Sequence, residues 1–135
     1  MSLEEIEISL CKLIKKSLAD KQYAEDFSFC LSDKSVNLAW KLYFIDLKKY
    51  KCQIHSNEIR HIYKEHQEEV WHICKIPYYL EKFKHIERTT TRDAQSGKQI
   101  PCLTFTKQLR DKKVKFVKMN LSRKKVLKLK TMYEV

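Results

Sequence analysis

Apolar residues near the start of the chain fall three or four positions apart, which is the spacing of one face of a helix. Over residues 4–18, acidic side chains come first and lysines last, an order that complements the helix dipole. We therefore predict an amphipathic helix there, and a connector with a short element near 27–31 within the mixed stretch 20–35. Alternation of apolar and polar positions over residues 36–45 predicts a strand. The apolar positions of the first helix are Ile6, Leu10, Leu13, Ile14 and Leu18.

The middle of the chain predicts a short strand followed by two helical pieces. Residues 50–54 have an extended pattern, and Ser56 follows as a candidate N-cap with Glu58 in the first turn of a helix. A second helical piece over residues 70–83 is interrupted or restarted at Pro77, because proline lacks the backbone donor that a helix uses. The stripe predicted for the first of these helices consists of Ile59, Ile62, Tyr63, His66 and Val70.

Strand signals dominate from residue 84 onward. Four segments rich in β-branched and aromatic residues alternate with a period of two, and turn residues separate them at 93–97, 110–112 and 122–124. Short connections join antiparallel neighbours. We therefore predict a four-stranded antiparallel sheet packed against helices of the first half, an α+β fold. The predicted strands are 84–91, 99–107, 113–121 and 125–133.

Length and composition narrow the functional classes. The 135 residues, 43% of them apolar, are enough for one globular domain with a real core. One glycine and two prolines exclude the glycine-rich phosphate loops of nucleotide-binding folds and the Gly-x-Ser-x-Gly elbow of hydrolases. Five dispersed cysteines without a Cys-x-x-Cys pair predict reduced thiols and a cytoplasmic location. No apolar run approaches the roughly 18 to 20 residues of a membrane span, and the first residues lack a secretory signal pattern.

Positive charge is concentrated near the end of the chain. The net charge is +11, and between Lys107 and Lys130 eleven basic residues stand against one acid, Asp111. A solvated surface is the plain alternative, but a one-sided excess interleaved with aromatic and aliphatic residues favours a surface that faces a polyanion. A membrane surface would need an amphipathic basic helix, whereas this segment has a strand pattern. The charge therefore predicts a nucleic acid as partner.

Histidines cluster in the middle of the chain: His55, His61 and His66 fall within twelve residues, and His72 follows. Imidazole is the usual proton-transfer group near neutral pH. At about 100° per residue, His66 lies about 20° from Ile59 on the buried stripe, whereas His61 lies about 200° away. His66 is therefore either a satisfied core histidine or a functional one. His61 is either an ordinary exposed residue or a functional one.

The same cluster contains residue types that bind zinc, including Cys52-x-x-His55. His61 and His66, however, are five positions apart rather than the four that bring two imidazoles to one metal. No second Cys-x-x-Cys or Cys-x-x-His pair is present. We therefore predict no metal site and no cofactor.

The last predicted strand carries two hydroxyl groups. Thr131 and Tyr133 are two residues apart, so alternation places both on one face, where both can reach a phosphate oxygen. An ordinary terminal strand of β-forming residues is the plain alternative. The same alternation predicts Leu127 and Leu129 on the face of the hydroxyls and Lys128, Lys130 and Met132 on the opposite face.

Three segments resemble phage-associated nucleases with the barnase–EndoU–colicin–RelE-like fold. Residues 54–66 are similar to that family's strand–cap–helix element, with its His-Ile-x-x-x-His motif. Ile76-Pro77 resembles the family's helix ahead of the sheet, and residues 126–133 resemble its last strand, which ends in a Thr-x-Tyr pair. The resemblance covers roughly residues 50–133.

The resemblance implies a nuclease domain at residues 50–135, with a four-stranded antiparallel sheet and helices on one face. A helical and mixed leader at residues 1–49 is then expected to pack on the same core. The implied activity is metal-independent cleavage of RNA, in which the 2′-hydroxyl attacks the adjacent phosphate. Such a reaction needs a base, an acid and donors or cations for the charged intermediate.

The roles of individual residues also follow from the resemblance. His61 and His66 match the helix histidines, with His61 preferred as the acid–base residue and His66 as its partner or its structural support. Thr131 and Tyr133 match the terminal hydroxyls, which would position the phosphate. The residues expected to bind phosphate and RNA are Arg60, Lys64, Lys115, Lys128 and Lys130.

Two other functions remain open at this point. The chain is alternatively a non-catalytic module that binds RNA or DNA through residues 107–130, since inactive and purely binding versions of such domains exist. An acidic antitoxin or immunity protein, whose charge imitates RNA, is a further expected partner and is compatible with either function. No membrane partner is expected.

Overall fold

The computed structural model describes residues 1–93 and 96–135. Its elements, numbered in chain order, form a sheet of six strands and a layer of helices. Ala94 and Gln95, in the predicted turn at 93–97, lie outside the described residues. The elements are α1 (Leu3–Ala19), β1 (Asp26–Cys30), α2 (Asp33–Tyr43), β2 (Lys51–His55), α3 (Ser56–Glu65), a 3₁₀ helix (Gln67–Lys75), α4 (Ile76–Tyr79), β3 (His85–Arg92), β4 (Gln99–Gln108), β5 (Lys113–Leu121) and β6 (Val126–Glu134).

The first predicted helix is confirmed as α1. It begins with a capping box, in which the Ser2 hydroxyl accepts from the Glu5 backbone N–H and the Glu5 carboxylate accepts from the Ser2 backbone N–H. Every apolar residue predicted for its stripe packs inward, and only Leu18 is partly exposed. The amphipathic pattern was therefore sufficient to place this helix.

The strand predicted at residues 36–45 is wrong, because this region forms α2. The Ser32 hydroxyl accepts a hydrogen bond from the Ser35 backbone N–H and caps the helix, and Asp33 follows in the first turn. Only Ser35 and Ala39 are buried in it. Apolar residues two positions apart predict a strand, but two of them, Trp40 and Leu42, are exposed on the surface of the helix.

The predicted α+β class is confirmed, but the sheet has six strands and not four. The four strands predicted after residue 84 are present as β3 to β6 and pair as an antiparallel meander. Two strands from the first half extend it, giving the order β1-β2-β6-β5-β4-β3. β2 pairs with β6 in parallel over residues 51–53, which makes the sheet mixed. The short element near 27–31 and the extended piece at 50–54 are β1 and β2.

The helix after β2 begins one residue earlier than predicted. His55, not Ser56, is the N-cap, and its Nδ1 accepts from the Asn57 backbone N–H at 3.0 Å. The Ser56 hydroxyl instead donates to the Tyr23 carbonyl oxygen and accepts from the Glu25 backbone N–H. The second helical piece is a 3₁₀ helix followed by the single turn of α4 around Pro77, so it is shorter and less regular than predicted.

One hydrophobic core joins the helices to one face of the sheet. It extends along the chain from Ile6 to Met132 and includes the stacked rings of Phe105 and Phe116. The opposite face is half-exposed along β2, β5 and β6, and we call it the open face. No helix in the described part of the chain is long and apolar enough to cross a membrane.

Candidate nucleic-acid interface

Alternation along each strand decides which side chains reach the open face. On β5, Val114 and Phe116 are buried under the helices, so Lys115 and Val117 point the other way. On β2, Cys52 and Ile54 are buried in the same core, which directs Gln53 to the open face. The small residues of β4 that face this way are themselves buried: Cys102, Thr104 and Thr106.

Lysines dominate the charge of the open face. Five of them project from β2, β5 and β6, and none forms an ion pair with any residue that the structure describes. Among the strand residues that the structure describes, the same alternation places two carboxylates on this face, Asp26 and Glu87, and Asp26 accepts a hydrogen bond from Gln53. Unpaired cations in a row form an electrostatic footprint for a polyanion. The five residues, which we call the open-face lysines, are Lys51, Lys113, Lys115, Lys128 and Lys130.

A β-bulge in β6 changes the predicted faces of that strand. Val117 pairs with Thr131 but Lys118 pairs with Leu129, so Lys130 is an extra residue without a partner across the strands. Leu127 and Leu129 therefore share the buried face with Met132, which is fully buried. The prediction that the two hydroxyls share a face with the leucines is wrong. Thr131 and Tyr133 point to the open face with the lysines.

One row of side chains crosses the open face from β6 to β3. Tyr133 lies opposite Lys115, Lys115 lies opposite Thr106, and Thr106 lies opposite His85. We call these four residues the cross-strand row. Directly opposite residues have Cβ atoms about 4.5–5.5 Å apart, so neighbours in the row can act on one ligand.

His66 stands at the β6 end of this row. It is the C-cap of α3, and its ring lies beside that of Tyr133, with centroids 5.8 Å apart and planes inclined at 31°. Its Nδ1 is 3.4 Å from an oxygen of Glu69, and its side chain is 36% exposed. A carboxylate at Nδ1 favours the tautomer that carries its proton there and leaves Nε2 as a base.

Glu69 also holds the end of β6. The Oε2 atom that faces His66 accepts a hydrogen bond from the backbone N–H of Glu134 at 3.1 Å. This is possible because β2 pairs with β6 only as far as Lys128, so the last residues of β6 have a free edge toward the helices. One carboxylate therefore lies beside His66 and accepts a hydrogen bond from the strand that carries Tyr133.

A second polar cluster lies next to this one. The Glu134 carboxylate accepts hydrogen bonds from His72 Nε2 at 2.8 Å and from Lys112 Nζ at 2.9 Å. These two hydrogen bonds hold the pKa of Glu134 below its ordinary value, and the bond from His72 has the larger effect. His72 Nδ1 lies 2.8 Å from the Tyr79 hydroxyl, whose pKa is raised by burial. Both imidazole nitrogens of His72 are thus engaged, so this histidine is structural.

The predicted catalytic residues are only partly brought together. His66 and Tyr133 are in contact, and Thr131 is on the same face as Tyr133, two residues away. His61 lies on the exposed side of α3 and makes no hydrogen bond, ion pair or ring contact within the described ranges. The geometry therefore brings His66, and not His61, beside Tyr133.

The predicted phosphate-binding residues separate into two groups. Lys115, Lys128 and Lys130 are on the open face. Arg60 is not: its guanidinium donates to the Ser17 carbonyl at 3.1 Å, to the Asp20 carbonyl at 3.3 Å and to the Asn57 side chain at 2.7 Å. It closes the C-terminal end of α1 and has few donors left for a phosphate. Lys64 is exposed in the last turn of α3 and makes no such contact with the described residues.

Glu69 and Glu134 were missed by the sequence reasoning. The i, i+3 spacing of His66 and Glu69 was a usable signal, because it places the two side chains together on any helical backbone. Glu134 had no such signal, since its partners are 22 and 62 residues away along the chain. Among residues 1–93 and 96–135, no group of three or more His, Cys, Asp or Glu side chains has the geometry to hold a metal ion.

No family model, no curated protein and no solved structure matches this chain. The resemblance to phage-associated nucleases therefore depends only on the short motifs in residues 54–66, 76–77 and 126–133.

Proposed function

We propose that the protein binds single-stranded RNA on the open face of its sheet. The observation that carries this proposal is the set of open-face lysines, unpaired with any described carboxylate and aligned on neighbouring strands. Each lysine that neutralises a phosphate releases a counterion, which favours binding. Single strands are the favoured substrate because exposed rings beside a sheet can stack on unpaired bases.

We further propose that the bound strand is cleaved beside Tyr133, which makes the protein a metal-independent endoribonuclease. The pairing of His66 with Glu69 and its contact with Tyr133 favour this second step. A histidine oriented by a carboxylate is the arrangement that proton-transfer catalysis uses. The resemblance to phage-associated nucleases, in which a helix histidine and a terminal tyrosine recur, supports the same conclusion.

The proposed cleavage needs only the RNA and the side chains of the protein, because His66 and Tyr133 accept and supply the protons. His66 Nε2 takes the proton of the 2′-hydroxyl, the 2′-oxygen attacks phosphorus, and the bond from phosphorus to the 5′-oxygen breaks. The 5′-oxygen receives its proton from the Tyr133 hydroxyl, and the phenolate formed is stabilised by Lys115 on the adjacent strand. Proton return from His66 to Tyr133 through solvent restores the site. The products carry a 2′,3′-cyclic phosphate and a 5′-hydroxyl.

Cleavage of end-labelled RNA in the presence of EDTA tests the proposal. We expect the wild-type protein to form cyclic-phosphate ends, and His66→Gln to lose about a hundredfold or more in rate because it removes the base. The Glu69→Gln variant should lose less, since it keeps the imidazole and weakens only its orientation. His66→Gln should still bind the RNA in a gel-shift assay, since the open-face lysines are intact.

A comparison of variants of the two histidines decides which of them is the catalytic base. His61→Gln is made in parallel, and a loss of cleavage in that variant with full activity in His66→Gln would transfer the catalytic role to His61. A retarded but intact RNA band with every variant, including the wild type, would leave RNA binding as the function and exclude cleavage. Absence of both binding and cleavage would overturn the whole proposal.

A further inference from the structure

The far end of the cross-strand row carries a second aromatic pair. His85 opens β3 and is exposed, and its Nδ1 lies 3.0 Å from the hydroxyl of Tyr43, the last residue of α2. The two rings meet edge to face, with centroids 5.4 Å apart and planes inclined at 76°. The proposed cleavage does not use this pair.

The contacts of Tyr43 fix the position of the His85 ring. Its hydroxyl also donates to the Lys84 carbonyl at 3.3 Å, and its ring packs beside that of Phe83 in the core. A side chain held in this way loses little conformational entropy when a ligand binds to it. The exposed imidazole is therefore a preorganised surface at the edge of the sheet.

The distance between the two ends of the row sets the size of a ligand. Tyr133 and His85 are separated by three strand spacings, about 14 Å at about 4.8 Å per strand. This is longer than one nucleotide, so a single nucleotide cannot contact both ends. Lys115 lies between them, next to Tyr133, where it can hold a phosphate of a strand that crosses the row.

We infer that His85, held by Tyr43, is a second nucleobase-binding subsite for the RNA strand that crosses the open face. One base stacks near His66 and Tyr133, and another, beyond Lys115, stacks on His85. This inference rests on the proposed RNA binding. It adds the path of the RNA strand, which crosses the sheet between β6 and β3. It also predicts that affinity increases with RNA length until both ends of the row are occupied.

Fluorescence anisotropy tests the subsite with labelled 2′-O-methyl oligouridylates of two and six nucleotides, which lack the 2′-hydroxyl nucleophile and are therefore not cleaved. We expect His85→Ala to weaken binding of the hexanucleotide about tenfold, the usual effect of losing one stacked base. Binding of the dinucleotide, which fits beside Tyr133 and Lys115, should not change. The His85→Phe variant keeps a stacking surface but loses the hydrogen bond to Tyr43, and it should retain most of the hexanucleotide affinity.

Two controls separate the possible outcomes. Tyr78→Ala removes a half-exposed aromatic ring from α4, where it lies against Lys75, and should leave both affinities unchanged. If wild-type protein binds the hexanucleotide and His85→Ala binds it equally well, the subsite is refuted and RNA binding stands. If His85→Phe binds the hexanucleotide as weakly as His85→Ala does, the contribution of His85 to affinity is not base stacking. If wild-type protein binds neither oligonucleotide, the proposed function itself fails.

Discussion

Lys118 lies at the centre of the layer between the sheet and the helices, with no exposed surface. Its Nζ donates to the thiol of Cys52, which is also fully buried, and lies 5.9 Å from the centroid of the Phe116 ring. No carboxylate in the described part of the chain pairs with it. Burying an ammonium group without a countercharge is costly. Lys118 therefore weakens the core in which it sits.

Replacing this lysine by a residue of similar shape should stabilise the protein. We expect Lys118→Met to raise the free energy of unfolding by about 1 kcal/mol or more, because methionine fills the space and needs no solvation. Urea denaturation at neutral pH measures the change. Lys113→Met, at an exposed position of the same strand, is the matched control and should change stability by less than about 0.5 kcal/mol. A clear loss of stability in Lys118→Met would mean that the ammonium–thiol contact is net favourable.

Individual residues also limit what the sequence could predict. Period-two alternation correctly assigns Val114 and Phe116 to the core. It also assigns Lys118 to the same face, so the burial of Lys118 could be predicted from the sequence. The same rule fails beyond Lys130, because a bulge adds one residue and reverses the faces of Thr131 and Tyr133. No residue type marks this bulge. Its position appears only in the register of β6 against β5, which is a property of the assembled sheet.

The C-terminal end of β6 is held by three side chains from two other parts of the chain. Glu69 and His72 come from the 3₁₀ helix, and Lys112 comes from the turn before β5. Since His72 and Lys112 lower the pKa of Glu134, the folded state favours the ionised carboxylate. The resulting stabilisation is present above the ordinary pKa of 4.5 and is lost as the pH falls through the lowered folded value.

We therefore expect Glu134→Gln to destabilise the protein at pH 7 and to lose this effect progressively below about pH 4.5. The measurement is the free energy of unfolding of both proteins by urea at a series of pH values. Glu65→Gln, which removes an exposed carboxylate without a described partner, serves as control and should follow the wild type throughout. A difference that persists unchanged at low pH would show that the carboxylate acts by packing and not by charge.

Elements with local signals were predicted well, and those defined by distant partners were not. Strands β3 to β6 follow from alternation and from turn residues between them, and α1 follows from its apolar stripe and from the order of its charged residues. The parallel pairing of β2 with β6 joins residues 51–53 to residues 126–128, and nothing near either segment encodes it. α2 was assigned as a strand because apolar residues two apart also occur on a helix that leaves Trp40 and Phe44 exposed.

At the scale of the whole molecule, positive charge lies on more than one surface. Residues of the first half cover one face of the sheet with helices, and β1 and β2 extend the sheet itself. The open-face lysines lie on the uncovered side, whereas Lys12 and Lys15 lie on the exposed surface of α1. If net charge alone attracts RNA, lysines of both surfaces contribute equally. If the open face is the binding surface, only its lysines contact phosphates.

Two double variants of identical net charge distinguish these cases. Lys115→Gln with Lys128→Gln removes charge from the open face, and Lys12→Gln with Lys15→Gln removes the same charge from α1. Binding of a single-stranded 2′-O-methyl RNA, which is not cleaved, is measured over a range of salt concentrations. We expect the slope of log affinity against log salt to become less steep by about 0.7 for each open-face lysine removed. The α1 variant should keep the wild-type slope, because its lysines contact no phosphate. Equal changes in the two variants would exclude a defined interface and reduce the binding to general attraction by a basic protein.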